Sequence, residues 1–148
     1  WLMGDLGQSA QWWPAFVALA VALLLAMPFA RELNLLSRGL MQAQALGVAV
    51  GRLRYAIYLL ASLATAASVT TAGSIGFVGL IVPHLVRLAT GNDQRLLLPA
   101  SVLAGGSLLV LADTLARTLI APQQLPVGVL TALIGVPVFL LLLSRQPK

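Results

Sequence analysis

The 148 residues are 59% hydrophobic and only 9% charged, with a mean hydropathy of +0.96 and a formal net charge of +5. Soluble globular domains carry about 25% charged residues, so this composition excludes an ordinary soluble domain and predicts a chain that lies in a membrane. The absence of cysteine excludes disulfides and thiolate metal sites. Residue 1 is Trp and no cleavable signal pattern follows, so we expect a piece of a longer protein.

The first predicted membrane span covers residues 12–30, an uncharged run of sufficient length to cross a bilayer. Trp12 and Trp13 stand at its start, where paired indole rings suit an anchor in the membrane interface. The span ends where Arg31 and Glu32 introduce charge.

Residues 31–54 are too polar to cross, because they carry four arginines and one acid. Their apolar residues nevertheless recur at spacings of three and four, which predicts amphipathic helices broken at Gly39 and Gly47. These helices either lie on the membrane surface or form a docking surface for a soluble partner. The apolar positions are Leu33, Leu36, Leu40, Ala43, Leu46 and Val50.

Residues 55–86 contain no charge, and as one helix they would be about 48 Å long, more than one crossing needs. Two crossings put the arginines on either side of this run on the same side of the membrane, as the positive-inside rule favours. We therefore predict spans at about 55–73 and 76–89, with a turn helped by Gly73, Gly76 and Gly79.

Two further uncharged runs predict spans at about 96–120 and 127–144. The predicted fold is an all-α, polytopic transmembrane bundle of five spans. With the C-terminal tail in the cytoplasm, the 31–54 loop and residues 87–95 are also cytoplasmic. Eight of the nine basic residues then lie inside, and the exception is Arg117.

Few side chains offer chemistry. Asp113 and Arg117 are four residues apart, so they share a helix face and suit a structural ion pair; Arg117 also suits gripping an acidic group that arrives from outside, and both roles can coexist. His84 is a lone histidine and suits a structural role. We find no metal or cofactor site, no catalytic set and no phosphate-binding loop, so any ATPase would be a separate chain, and we expect no nucleic-acid partner.

Four motifs occur together in order: GSIGFVGLIVPHLVR at 73–87, LLPA at 97–100, ADTLAR at 112–117 and LPVGVLTALIGVPVF at 125–139. With LNLLS at 33–37 and ALGV at 45–48, they resemble the permease subunits of type II ABC importers, which carry iron–siderophore complexes, haem and vitamin B12. That resemblance implies the second half, spans six to ten, of a ten-span subunit in the bacterial cytoplasmic membrane.

The resemblance also implies partners. The family works as a homodimer with two cytoplasmic ATPases, and a periplasmic or lipid-anchored binding protein delivers the substrate. Arg117 matches the arginine that pairs with a glutamate of the binding protein. After Gly39 the family usually has acidic residues, whereas this chain has Leu40 and Met41, so an apolar contact would replace a polar one. The implied ATPase-docking residues are Leu33, Asn34, Leu36, Ser37, Arg38, Gly39, Leu40, Ala45, Leu46, Gly47 and Val48.

Other classes compete with this interpretation. A proton-coupled secondary transporter would use Asp113 or His84 and need no ATPase. An intramembrane enzyme would need a second polar catalytic residue, which the sequence lacks. An inactive truncated fragment is the remaining alternative.

Overall fold

The computed structural model of the protein describes residues 13–119 and 127–144, and every regular element in those ranges is a helix. The predicted positions at residue 12, around Pro122 and beyond Ser144 lie outside these ranges. In chain order the elements are α1 (Trp13–Ala26), a 3-10 turn (Met27–Phe29), α2 (Ala30–Leu36), α3 (Leu40–Ala45), α4 (Val50–Ala72), α5 (Val78–Thr90), α6 (Gln94–Leu119) and α7 (Val127–Ser144).

The helix that forms the first predicted span continues beyond residue 30, where the sequence predicts the end of the span. Pro28 lies at the start of the 3-10 turn, where its missing N–H and fixed φ tighten one turn without ending the helix. The chain continues directly from α1 into α2, and Trp13–Leu36 is one helical stretch. The arrival of charge at Arg31 therefore marks a change of environment along a continuous helix.

Several helix ends lie at glycines with positive φ, and three of these glycines are at positions where the sequence predicts breaks. Gly39 has φ +127° between α2 and α3, and Gly47 has φ +82° after α3. At Gly47 the amide of Val48 donates to the carbonyl of Ala43 at 3.0 Å, which closes α3 with a Schellman motif. Gly73, with φ +72°, ends α4 and separates it from α5, so the uncharged run at 55–86 forms two helices.

The turn into α5 has a strained residue that packs against α7. Phe77 has φ +67°, a left-handed conformation that is uncommon outside glycine. A Cβ atom built on Gly135 of α7 would lie 2.6 Å from the Cβ of Phe77. Real Cβ atoms do not approach so closely, so the lack of a side chain at Gly135 allows α7 to reach this turn.

The helices pack in two groups. α1 packs along α4, while α5, α6 and α7 pack on one another, and α2 lies against α6. A small buried cluster of Ala112, Ala116 and Val127 joins α6 to α7. Between the groups lie two cavities, of about 510 Å³ and 210 Å³, both lined by residues of α1, α4 and α6. The contact between the pair and the trio is therefore looser than the contacts within them.

Within the part of the chain that the structure describes, three helical stretches are long and apolar enough to cross a membrane: Trp13–Leu36, Val50–Ala72 and Gln94–Thr118. Val78–Thr90 and Val127–Leu141 are shorter apolar helices, where two more spans are predicted. Many large apolar side chains remain exposed on these helices, such as Leu103 at 73% and Leu24 at 70%. Such surfaces suit lipid or other membrane segments, so the chain is an integral membrane protein with an all-helical fold.

Candidate functional site

The short-helix segment, residues 30–49 with α2 and α3, exposes a row of apolar side chains. Met41 is 83% exposed and Leu46 is 66% exposed, although neither lies on a membrane-length helix. On the opposite face of α3, Ala43 is fully buried. An uncharged, protruding row beside a buried face is typical of a surface that binds another protein.

A groove of about 620 Å³ lies beside this row. Its walls are mostly apolar, and they include one acidic and one basic residue, Glu32 and Arg52. The groove therefore offers an apolar floor with a charge of each sign. The other lining residues are Phe29, Leu35, Leu46, Gly47, Val48, Ala49, Leu53 and Ala56.

The predicted docking residues fall into two sets in the structure. Leu33, Asn34, Leu36 and Val48 are half-buried, and therefore contact the rest of the chain. The exposed set is available to a partner and comprises Ser37, Arg38, Gly39, Leu40, Ala45, Leu46 and Gly47.

Asn34 of α2 reaches the loop before α6 and bonds to it twice. Its Nδ2 donates to Oδ1 of Asp93 at 2.7 Å, and its Oδ1 accepts from the backbone amide of Gln94 at 2.8 Å. Asp93 also accepts from the amide of Arg95 at 3.0 Å, and so acts as the N-cap of α6. The bonds from Asn34 and from the Arg95 amide hold the pKa of the Asp93 carboxyl below its ordinary value of 3.8.

Asp93 is a residue that sequence reasoning missed. A signal was present, because aspartate shortly before a long apolar run is a common helix N-cap. Its partner Asn34 lies 59 residues earlier in the chain, so the bond between them depends on how α2 packs on α6.

Asp113 and Arg117 form an ion pair near the other end of α6. Nε of Arg117 donates to Oδ2 of Asp113 at 2.8 Å, with the side chains 39% and 24% exposed for Arg117 and Asp113. From Gln94 to Arg117, α6 rises about 35 Å at 1.5 Å per residue. The ion pair and the Asn34–Asp93 contact therefore lie near opposite ends of one helix.

The remaining predicted positions lie around α5. Gly73 and Gly76 belong to the turn before α5, whereas Gly79 lies in its first turn. His84 is half-buried in α5 and follows Pro83. Within 13–119 and 127–144, no three histidine, aspartate or glutamate side chains come together in a way that would hold a metal ion.

The larger cavity between the two helix groups has hydroxyl groups on its α4 wall. The hydroxyl of Thr65 donates to the carbonyl of Ala61 at 2.8 Å, and that of Ser68 donates to Ala64 at 2.8 Å. Each bond joins a residue to the carbonyl four positions earlier on the same helix. The hydroxyl protons of this wall are therefore already used within α4, and most of the residues that line the cavity are apolar.

Comparison with known proteins identifies the family. Residues 1–145 match the model of the FecCD transport family. The chain is 49% identical over 149 residues to the hemin transport system permease protein HmuU of Yersinia pestis, covering 99% of this chain and 44% of that protein. It is 46% identical over 151 residues to the Fe(3+) dicitrate transport system permease protein FecD of Escherichia coli, covering 99% and 46%.

A third relative, the cobalamin import system permease protein BtuC of Halobacterium salinarum, is 49% identical over 149 residues, covering 99% of this chain and 40% of its own length. The fold matches a solved structure, described as an inward-facing conformation of a transporter assigned to the metal-chelate ABC type, with a TM-score of 0.88 and 37% identity. That match covers 99% of this chain and 49% of the other. The chain thus spans less than half the length of these relatives, and it belongs to the FecCD transport family.

Proposed function

We propose that this chain is the C-terminal half of a permease subunit in an ATP-driven importer of iron–siderophore, haem or cobalamin-type chelates. The observation that carries the proposal is the alignment of 99% of the chain with a hemin permease at 49% identity. The match covers all described helices, including the short-helix segment, so it is more than a shared membrane composition.

The short-helix segment would dock a separate cytoplasmic ATPase. Its exposed row at Leu40, Met41 and Leu46 supports an apolar contact, and the neighbouring groove contributes Glu32 and Arg52. ATP binding would close two ATPases and push this segment, and hydrolysis would release it. ATP hydrolysis itself would belong to this separate ATPase.

Arg117 would meet a carboxylate of the substrate-binding protein on the other side of the membrane. Asp113 accepts a hydrogen bond from Nε of Arg117 at 2.8 Å, which fixes the orientation of the guanidinium. An arginine kept in place by an intrahelical partner loses less side-chain entropy when a second carboxylate arrives.

The translocation pathway would form between this subunit and a second copy, in the cytoplasmic membrane with the C-terminus inside. The cargo would be a bulky chelate, and the absence of a metal-binding cluster from the described residues supports passage without tight binding. The spans would tilt together, opening the pathway first outward and then inward.

The native complex tests this proposal. The complex is extracted through a tag on the C-terminal tail, and the masses of its intact subunits are measured. Uptake is measured separately in vesicles. We expect a subunit about twice this length with an ATPase alongside, and uptake that stops when ATP is depleted. A subunit of this length without an ATPase, or uptake that survives ATP depletion and collapses with the proton gradient, would contradict the proposal and favour a secondary transporter.

A further inference from the structure

The contact between Asn34 and the start of α6 is more than a helix cap. An N-cap needs one side-chain oxygen, and Asp93 supplies it to the amide of Arg95 by itself. Asn34 adds a second acceptor, for the amide of Gln94, and donates to the Asp93 carboxylate. Side chains from two elements far apart in the chain therefore share the orphan N–H groups of one helix end.

The geometry of this contact is that of a stiff link. One hydrogen bond permits rotation about its axis, whereas two bonds that run in opposite directions from one side-chain amide to two neighbouring residues resist both rotation and separation. Asn34 donates in one bond and accepts in the other, at 2.7 and 2.8 Å. A bond to an ionised acceptor is also stronger than one between neutral groups.

The link joins the two places where the proposed partners would act. α2 carries half of the short-helix segment, and it packs on α6 as well as on α3. α6 is 26 residues long and carries Arg117 in its last turns. A displacement of α2 would therefore move the near end of the helix whose far end meets the binding protein.

We infer that Asn34 and Asp93 form a clamp that transmits movement of the ATPase-docked segment to α6. This inference rests on the proposed function. The clamp is a positioning device and makes no contact with ATP or cargo. It explains why Asn34, within a segment that faces a partner, points back into its own chain.

Near-isosteric exchanges test the clamp in the native complex with its ATPase and binding protein in liposomes. Asn34→Asp keeps the acceptor for Gln94 but sets two carboxylates 2.7 Å apart. Asn92→Asp is the matched control, because it adds the same charge at an exposed residue beside Asp93. The probes are haemin, ferric dicitrate and cyanocobalamin, supplied in turn, and both ATP hydrolysis and uptake are measured.

We expect Asn34→Asp to lower uptake severalfold, because the hydrogen bond to the solvent-exposed Asp93 carboxylate is lost, and the fall in uptake should exceed any fall in ATP hydrolysis or in bound ATPase. Asn92→Asp should match the wild type. Adding Asp93→Asn to Asn34→Asp restores an amide–carboxylate hydrogen bond between the two side chains but loses the Oδ1 acceptor for the Arg95 amide, so it should recover part of the uptake.

Several results would overturn the clamp. Normal uptake by Asn34→Asp, or an equal loss in the Asn92→Asp control, would remove its role in coupling. Loss of the ATPase from the complex would assign Asn34 to docking instead. Failure of the wild type to import any of the three probes with ATP would overturn the proposed function, and the clamp with it.

Discussion

The contact between α7 and the turn before α5 is possible because residue 135 of α7 is a glycine. A Cβ atom on Gly135 would lie 2.6 Å from the Cβ of Phe77, which is too close for two non-bonded carbon atoms. Phe77 itself has a positive φ. The strain at Phe77 costs on the order of 1–3 kcal/mol and persists only where the surroundings determine it. The close approach of α7 is part of those surroundings.

Gly135→Ala should therefore destabilise the protein by about 1–3 kcal/mol, because the added methyl group must displace the Cβ and Cγ atoms of Phe77. The measurement is the thermal unfolding midpoint of the complex in detergent. Gly106→Ala is the matched control, since a Cβ there meets no atom within 4 Å and alanine favours the helix. An equal drop in both variants would contradict a specific contact with Phe77.

Arg117→Glu should weaken binding of the substrate-binding protein about tenfold or more and lower uptake, since it reverses the charge offered to a carboxylate partner. Assembly should survive, because an exposed i, i+4 pair contributes about 0.3–0.5 kcal/mol. The double variant Asp113→Arg/Arg117→Glu keeps an ion pair with its charges exchanged. Recovery of uptake in the double variant would reduce Arg117 to a structural partner of Asp113.

Spacing within one helix made the Asp113–Arg117 pair predictable, because four residues return a side chain to the same face. Asn34 and Asp93 were beyond such reasoning, since their meeting depends on the placement of α2 against α6. Phe77 was also beyond it, because a left-handed aromatic residue has no local signature. Sequence patterns thus specify contacts within a helix far better than contacts between helices.

The short helix α3 is the element on which the proposed ATPase docking depends. Met41→Glu places a charge on a side chain that is 83% exposed and that we propose to be buried by the ATPase. Burying an unpaired charge is costly, so the co-purified ATPase should fall about tenfold or more. Met41→Leu, which keeps an apolar side chain, should retain it. Full ATPase recovery with Met41→Glu would place the docking contact elsewhere.

Helix breaks were more predictable than helix boundaries. Gly39, Gly47 and Gly73 all adopt positive φ where the sequence predicts a break. The predicted first span stops at residue 30, whereas the helical stretch continues to Leu36, and α4 begins at Val50 rather than residue 55. Hydropathy reports where charge begins, but a helix ends only where its backbone hydrogen bonds are interrupted.

Across the whole molecule, the arrangement of the helices in a pair and a trio has no counterpart in the sequence. Each helix is apolar on most of its surface, so periodicity does not reveal which neighbour it selects. The packing also leaves about 510 Å³ between the two groups. The α2–α6 contact adjoins both groups, because α2 continues directly from α1 of the pair.

The hydroxyl groups of α4 affect how easily the pair (α1 and α4) can slide against the trio (α5, α6 and α7). Thr65 and Ser68 keep their bonds inside α4, so a shift of this helix exchanges none of these hydrogen-bond partners. Away from the bonds that Asn34 makes to Asp93 and Gln94, the resistance comes mainly from dispersion contacts, each worth only about 0.1–0.2 kcal/mol, and these are broken and remade gradually. Away from the clamp, movement of the pair against the trio therefore crosses only small free-energy barriers. A small force applied at one end of the pair is then sufficient to move it.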